Sequence, residues 1–158
     1  MIIHLNIINV YKFKTQPCTH EAAIEVASNL RSEDRREIEE GHGCDPMIIL
    51  PQAVGTDYCV YFTAPNGRTA GMGGVKKDGL IWMLCTPVIH DYPIAFVKEA
   101  KKVLNSRTEK LLWNIVDKRN IVHLRLLRYL GFKFLREFKY GPNQLTFIEF
   151  VKCALPQQ

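Results

Sequence analysis

The chain has 158 residues, of which 47% are hydrophobic and 23% are charged, a balance that indicates one globular domain and excludes a disordered or fibrous chain. Its net charge of +5 is mild, so scattered lysine and arginine side chains on solvated faces are favoured over a nucleic-acid-binding surface. The five cysteines lack Cys-x-x-Cys spacing, which favours reduced thiols, and no apolar run approaches the roughly 20 residues that span a bilayer.

The N-terminal region is predicted to begin with a strand and to continue into a helix. Residues 1–13 are apolar but lack the basic start and small-residue cleavage site of a signal peptide, so we expect a first strand there. A turn is predicted at Gln16–Cys18. Apolar residues along one stripe predict an amphipathic helix over 20–30, with Thr19 as its N-cap.

The next segment is highly charged. Ser32 is expected to cap a second helix over 33–40, and because nearly all its side chains are charged, we expect this helix to pack weakly and to be mobile or to contact a partner. His42, Cys44 and Asp45 follow in a loop. One histidine and one cysteine without a second pair at ligand spacing do not predict a metal site. A short apolar helix is expected after the loop.

Three strands separated by tight turns are predicted in the middle of the chain, over 58–63, 68–76 and 80–86. The pair Asn66–Gly67 is typical of a hairpin turn, because both residues tolerate positive φ. The glycines within 70–74 do not predict a nucleotide-binding loop, since a tight turn and a strand follow them instead of a helix. They indicate a bulge or a close approach of backbone.

The elements predicted after residue 90 are two helices, over 93–104 and 121–130, and three strands, over 111–116, 132–140 and 145–151. Asn120 is expected to be the N-cap of the second of these helices, with its side-chain oxygen accepting a backbone N–H. Gly131 is expected to end that helix in a left-handed conformation. The order of elements predicts an α/β (α+β) domain, with helices on both faces of a mostly antiparallel, mixed central sheet.

Four residues of this C-terminal part carry a resemblance to a known family. Asn120, Leu126, Gly131 and Phe132 fall on the pattern N-x-x-A-x-x-L-Y-x-x-x-G-F, which closes the fold of the GCN5-related N-acetyltransferases (GNAT). The resemblance implies a single GNAT-like domain over 1–158, in which the strands before the last two helices splay apart and acetyl-CoA lies in the V-shaped gap. The tyrosine of the pattern falls on Leu127, which cannot donate a proton.

A longer series of segments resembles the small internal-virion-protein-A-like proteins of short-tailed bacteriophages. These segments run in order over roughly residues 20–151 and comprise 29–37, 43–46, 81–87, 113–120, 123–125, 140–142 and 147–150. The resemblance implies a phage origin, a location in the virion or the host cytoplasm, and a virion or host protein as partner. It implies little about chemistry.

The segment that would hold the CoA pyrophosphate departs from the GNAT pattern. That family places glycines there, so that backbone N–H groups at a helix N-terminus approach the phosphates. Residues 86–93 contain no glycine, Pro87 and Pro93 have no N–H, and Asp91 adds a negative charge. We therefore expect no ordinary pyrophosphate cradle, although the resemblance makes acetyl-CoA the cofactor to test.

Candidate site residues follow from the expected gap between the strands that end at Thr86 and Val116. The candidates for catalysis, in place of the missing tyrosine, are Tyr92, His123 and Cys85. The candidates for contact with the cofactor are Leu84, Cys85, Thr86, His90, Asn114 and Asn120. His123 is either a structural hydrogen-bonding residue or a base. Asn114, inside an apolar strand, either pairs with the splayed backbone or touches a ligand.

Three functions are compatible with these features. The missing glycines and tyrosine favour a non-catalytic GNAT-fold protein that acts by binding a virion or host partner. The alternative is an acyl-CoA-dependent N-acetyltransferase with an atypical donor site. Binding of nucleic acid through the basic residues after Lys98 is the least favoured of the three, and it predicts steep salt dependence.

Overall fold

The computed structural model describes residues 11–153, which form seven strands and five α-helices. The strands are β1 Lys14–Pro17, β2 Tyr58–Thr63, β3 Thr69–Val75, β4 Ile81–Cys85, β5 Leu112–Asp117, β6 Lys133–Tyr140 and β7 Leu145–Lys152. The α-helices are α1 His20–Ser28, α2 Ser32–Arg36, α3 Pro46–Ala53, α4 Pro93–Asn105 and α5 Ile121–Tyr129. A π-helical turn, Glu37–Gly41, continues α2, and a 3₁₀ turn, Pro87–His90, precedes α4.

The strands form two antiparallel sheets, one of four strands in the order β1-β2-β3-β4 and one of three in the order β5-β7-β6. The two sheets meet where the parallel strands β4 and β5 begin, through a single bridge between Leu80 and Trp113. Three apolar clusters hold the layers together. One lies between the first sheet and α4, one between the first sheet and helices α1 and α3, and one between α5 and the second sheet.

The predicted fold class, a mostly antiparallel mixed sheet with helices on both faces, is confirmed. The left-handed end of α5 is also confirmed. Gly131 has a φ of +89°, and the N–H of Phe132 reaches back to the carbonyl of Leu127 at 3.0 Å. The glycines of β3 mark close backbone approaches as predicted, since a Cβ on Gly74 would lie 2.4 Å from the carbonyl oxygen of Tyr58.

The start of the chain differs from the prediction. Most of the strand expected over 1–13 lies outside the described residues, and the turn predicted at Gln16–Cys18 is wrong, because Lys14–Pro17 forms the edge strand β1. An edge strand accommodates Pro17 because one side of its backbone needs no partner. None of the helices within 11–153 has the length and apolarity needed to cross a bilayer.

The prediction that the charged helix packs weakly is wrong. Asp34, Glu37 and Ile38 are all buried, and Asp34 is fully inaccessible. The predicted N-cap Ser32 is wrong, because Ser32 lies within α2. Asn120 occupies the N-cap position of α5 as predicted, but its side chain makes no capping bond and instead donates to Asp34.

Candidate active site

A V-shaped gap separates β4 from β5 and forms the centre of the molecule. The strands touch at the base of the gap, where the N–H of Trp113 donates to the carbonyl of Gly79 at 3.1 Å, and β4–β5 pairing does not continue beyond it. Because β4 pairs only with β3, and β5 only with β7, each strand turns one edge of its backbone towards the gap.

The backbone groups that face the gap follow from the pairing pattern. Thr86 donates its N–H to Ala70 of β3, so the alternation along β4 turns the N–H and C=O of Ile81, Met83 and Cys85 away from β3 and into the gap. On the opposite side, Lys118 pairs with β7 through its N–H, so the backbone of Asp117 and of the alternate residues before it faces the gap.

Asn114 closes the base of the V. Its Nδ2 donates to the carbonyl of Ile81 on β4 at 2.7 Å, and its Oδ1 accepts the N–H of Ile115 on β5 at 2.7 Å. Of the two interpretations of this polar residue in an apolar strand, the structure shows pairing with the splayed backbone. The amide compensates for the bonds that the two diverging strands do not make with each other.

Helix α2 spans the wide end of the gap and satisfies the last backbone groups of β4. The N–H of Arg31 donates to the carbonyl of Cys85 at 2.9 Å, and Oδ2 of Asp34 accepts the N–H of Cys85 at 3.0 Å. The Arg31 guanidinium, whose side chain is 1% exposed, pairs with the same Asp34 oxygen at 3.2 Å. Its Nε donates to Nε2 of His90 at 3.2 Å. Arg31 and Asp34 thus form a buried ion pair across the end of β4.

Glu37, one helical turn after Asp34, accepts a backbone hydrogen bond from the end of β5. Its Oε1 accepts the N–H of Asp117 at 2.5 Å. Removal of the carboxyl from water raises its pKa to about 8, with the nearby Asp34 and Asp117 acting in the same direction. Glu37 also lines the cavity described below. A carboxyl that titrates near neutral pH and borders a cavity is suited to accept a proton.

The polar cluster extends to α5. Asp34 accepts a hydrogen bond from Nδ2 of Asn120 at 2.9 Å, and Nε2 of His123 lies 3.5 Å from the same Asp34 oxygen, beyond good bonding distance. Burial lowers the pKa of His123, which favours the neutral imidazole. Three buried polar atoms of this cluster make no hydrogen bond: Oδ1 of Asn120, Nε2 of His123, and Nη2 of Arg31, which lies 3.5 Å from Oε2 of Glu33.

The cluster does not have the character of a metal centre. A carboxylate oxygen of Asp34, Sγ of Cys85 and a ring nitrogen of His123 lie within 4.8 Å of one another. The Asp34 oxygens, however, already accept hydrogen bonds from three donors, and the positive charge of Arg31 lies where it would oppose a cation. The arrangement fits an internal ion pair.

The loop residues weighed for a metal have separate structural roles. The ring Nδ1 of His42 lies 3.2 Å from the hydroxyl of Tyr140, and Cys44 is exposed. Asp45 caps α3 by accepting the N–H of Met47.

A cavity of about 660 Å³ occupies the gap and is lined by side chains from both faces of the sheets. We call the two parts the α4 half and the α3 half. The α4 half lies between α4 and α5 and is lined by Val60, Phe62, Gly73, Met83, Phe96, Ala100, Val103, His123 and Leu126. The α3 half lies under α2 and α3 and is lined by Glu37, Ile38, His42, Cys44, Ile49, Leu50, Ala53, Trp82, Leu84 and Tyr140.

The N-terminus of α4 presents backbone donors beside β4. Tyr92 occupies the N-cap position but makes no side-chain cap, and Pro93 has no N–H. The first-turn amides of Ile94 and Ala95 therefore have no capping side chain and are open to water or another acceptor. Ile94 is 73% exposed, so this turn lies at the surface.

The structure places the predicted site residues in three groups. Leu84, Asn114 and His123 line the cavity. Cys85, Thr86 and Asn120 are buried in the polar cluster or next to it. His90 is exposed but accepts the Arg31 bond, and Tyr92 packs with its ring 6.3 Å from that of Phe13. Burial raises the pKa of the Cys85 thiol well above its usual range.

Sequence reasoning missed the three α2-region residues that complete the site: Arg31, Asp34 and Glu37. A usable signal was present. Arg31, Asp34 and Ile38 recur at helical spacing together with Glu37, so a single face of the helix carries one apolar residue and several charges. Charges on the inward face of an amphipathic segment mark a site when their partners lie elsewhere in the fold.

Comparison with solved structures shows the same fold. The GNAT-family acetyltransferase from Bacillus anthracis superposes with a TM-score of 0.68 at 13% identity, covering 90% of this chain and 95% of that chain. The ribosomal-protein-S18-alanine N-acetyltransferase from Escherichia coli superposes with a TM-score of 0.65 at 12% identity, with coverage of 92% and 96%. A mutant spermidine N-acetyltransferase from Vibrio cholerae gives 0.60 at 9% identity, with coverage of 90% and 94%.

No family model matches the chain, and no curated protein matches it at a significant level. The chain therefore has a GNAT-like fold at identities that establish the fold alone. The bacteriophage resemblance receives no support from these comparisons.

Proposed function

We propose that the protein is an acyl-CoA-dependent N-acyltransferase that acetylates an amine at the β4–β5 gap. The observation that carries the proposal is the cavity in the gap, which is lined by Phe96, Ala100 and Val103 of α4 and by Glu37, a buried carboxyl with a raised pKa. The solved structures of the same fold include N-acetyltransferases.

The α4 half of the cavity suits the acyl donor. The amides of Ile94 and Ala95 and the dipole of the 13-residue helix α4 provide the positive end on which a pyrophosphate rests. They replace the glycine-rich loop whose absence argued against a donor site. Asp91 is exposed, so its charge is screened by water and it can turn away from the phosphates.

The thioester would lie against β4 within the gap. The backbone groups of Cys85 are taken by Arg31 and Asp34, and the carbonyl of Ile81 is taken by Asn114. Met83 lies between them, lines the cavity and turns its N–H into the gap. Its N–H is therefore the donor we assign to the thioester oxygen, where negative charge develops during acyl transfer.

The chemistry requires one bond to form and one to break. The amine nitrogen attacks the thioester carbon, the carbon–sulfur bond breaks, and CoA leaves as the thiolate, which takes up a proton from solvent. Glu37, on the α3 half, accepts the proton that the amine loses when its carboxyl is ionised, and because its pKa is about 8 the ionised fraction grows as the pH rises from neutral.

Of the three residues predicted for catalysis, His123 is the one that lines the cavity. Its neutral imidazole, with Nε2 unpaired, is assigned as a hydrogen-bonding group near the leaving sulfur. Cys85 holds its thiol protonated by burial, and Tyr92 packs in the core beside Phe13. We therefore give these two no role in proton transfer.

Isothermal titration with acetyl-CoA, followed by a transfer assay with radiolabelled acetyl-CoA and a panel of amines, tests the proposal. Binding in the micromolar range and label on an amine that is lost in Glu37→Gln are expected. Binding weaker than millimolar, or transfer that is unchanged in Glu37→Gln, would overturn it.

The second candidate is a non-catalytic protein of the same fold that binds a virion or host protein. The observation that favours it is the polar cluster at the wide end of the gap, where the chain's own Arg31 and Asp34 occupy the Cys85 backbone. A protein that binds neither acetyl-CoA nor CoA, but is recovered in purified phage particles, would support this reading instead.

A further inference from the structure

The α3 half of the cavity, where an acceptor would enter, is apolar apart from a few groups. Among its lining residues, Glu37 is the single carboxylate. The side chains of Ile49, Leu50 and Ala53 on α3 and of Trp82 on β4 form an apolar wall of this half. His42 contributes no charge there, since burial lowers its pKa, and its ring is bonded to the Tyr140 hydroxyl.

This distribution of charge limits the amines that fit. One amine can lie beside Glu37 and share a proton with its carboxyl. A second ammonium on the same molecule would meet the aliphatic and aromatic wall, where a buried charge without a partner is strongly disfavoured. An apolar body on the amine would instead bury its surface against Trp82 and Leu50. Polyamines, which carry several charges, therefore do not match this wall.

We propose that the acceptor is a monoamine with a compact apolar or aromatic body, and that the wall formed by Ile49, Leu50, Ala53 and Trp82 selects it against polyamines. This inference rests on the proposed acyltransferase function. The inference concerns the selectivity for the acceptor amine. Whether the protein has a donor site is tested separately by the binding of acetyl-CoA.

Titration of the protein with phenethylamine and separately with spermidine, both in the presence and in the absence of CoA, tests the selectivity. We expect phenethylamine to bind at least about tenfold more tightly than spermidine. The same order is expected for kcat/KM in the acetyl transfer assay. Equal affinities, tighter binding of spermidine, or no binding of either amine would overturn the inference.

Introducing a charged side chain into this wall should increase the affinity for polyamines. Ile49→Asp adds a second carboxylate to the α3 half, so the affinity for spermidine relative to phenethylamine should rise at least about tenfold. Leu135→Asp is the matched control, since Leu135 lies on β6, is 56% exposed, and does not line the cavity. A relative gain in both variants would contradict a role for the wall.

The failure of this inference is distinguishable from failure of the proposed function. A protein that binds acetyl-CoA and prefers spermidine retains the acyltransferase function and loses the monoamine selectivity. A protein that selects phenethylamine but binds no acetyl-CoA retains the selective cavity and loses the acyltransferase function.

Discussion

The carboxylate of Asp34 accepts the backbone N–H of Cys85 at 3.0 Å, although the two residues are 51 positions apart in the chain. Asp34 lies in α2 and Cys85 ends β4, so this single bond fixes the helix across the wide end of the gap. The Arg31 guanidinium neutralises the carboxylate from the other side. Asp34, which the hydrophobic pattern of the sequence assigns to the solvent-exposed surface, therefore holds the end of β4 in place.

Removal of the Asp34 carboxylate is expected to destabilise the protein strongly. Asp34→Ala leaves the Cys85 N–H without a partner and the buried Arg31 charge without its buried carboxylate, which should lower the free energy of unfolding by about 3–5 kcal/mol. Urea unfolding measures the change. Glu39→Ala is the control, because its exposed ion pair with Arg35 is worth about 0.5 kcal/mol or less. Similar losses in the two variants would show that the ion pair is not structural.

The pKa of Glu37 predicts a fall in stability as pH rises. The carboxyl is protonated in the folded protein up to about pH 8 but ionised in the unfolded chain above about pH 4.5, so the folded state binds the extra proton in between. Between about pH 6.5 and 8, the unfolded acidic groups and histidines have already lost their protons. The free energy of unfolding should therefore fall by about 1 kcal/mol per pH unit.

The variant Glu37→Gln keeps an oxygen for the Asp117 N–H and carries no titrating proton. Its free energy of unfolding should be flat over the same pH window, measured by urea unfolding at three pH values. The buried histidines, whose pKa values are lowered, contribute in the opposite direction and mainly below about pH 6.5. The same slope in the parent and the variant would contradict the assignment.

Elements defined by local signals were predictable from the sequence. The stripe of apolar residues in α1, the capping Thr19 and the glycine that ends α5 each act within a few residues, and all three appear in the structure. Strand β1 was missed because the Gln16–Pro17 pair reads locally as a turn, whereas its backbone is paired with β2. Pairing with a strand some 45 residues away cannot be read from a window of ten residues.

The candidate site divides in the same way. The gap was expected from the family resemblance, and Asn114 was singled out with two interpretations left open, because a polar residue inside an apolar strand requires a partner wherever it lies. Asp34 and Glu37 were not found, since a hydrophobic pattern assigns charged residues to solvent, and only the assembled fold brings the backbone N–H groups of Cys85 and Asp117 to them. The residues that bond the unpaired backbone of diverging strands are therefore determined by the tertiary structure and cannot be identified from local sequence patterns.

Filling the α4 half of the cavity should block the acyl donor without unfolding the protein. Ala100 lines this half on α4, and Ala100→Phe would place a ring in the space that the pantetheine arm needs. We expect acetyl-CoA affinity to fall at least about tenfold, measured by isothermal titration. The free energy of unfolding should change by less than about 1.5 kcal/mol, because an existing cavity is filled.

Lys98→Phe is the control for this change, since it adds the same ring on the exposed side of the same helix. It should leave acetyl-CoA affinity unaltered. If both variants bind acetyl-CoA like the parent, the donor does not lie between α4 and α5.

The amide donors at the start of α4 can be tested one at a time. Ile94→Pro removes a single backbone N–H in the first helical turn, where proline is tolerated, and Ile94→Ala keeps that N–H while removing the same exposed side chain. A hydrogen bond to a charged phosphate is worth about 1.5–3 kcal/mol, so Ile94→Pro should bind CoA about ten- to a hundredfold more weakly than Ile94→Ala. Titration with CoA and with pantetheine, which lacks the pyrophosphate, separates the contributions. The difference between the variants should appear with CoA and vanish with pantetheine, whereas an equal difference with both ligands would place the pyrophosphate elsewhere.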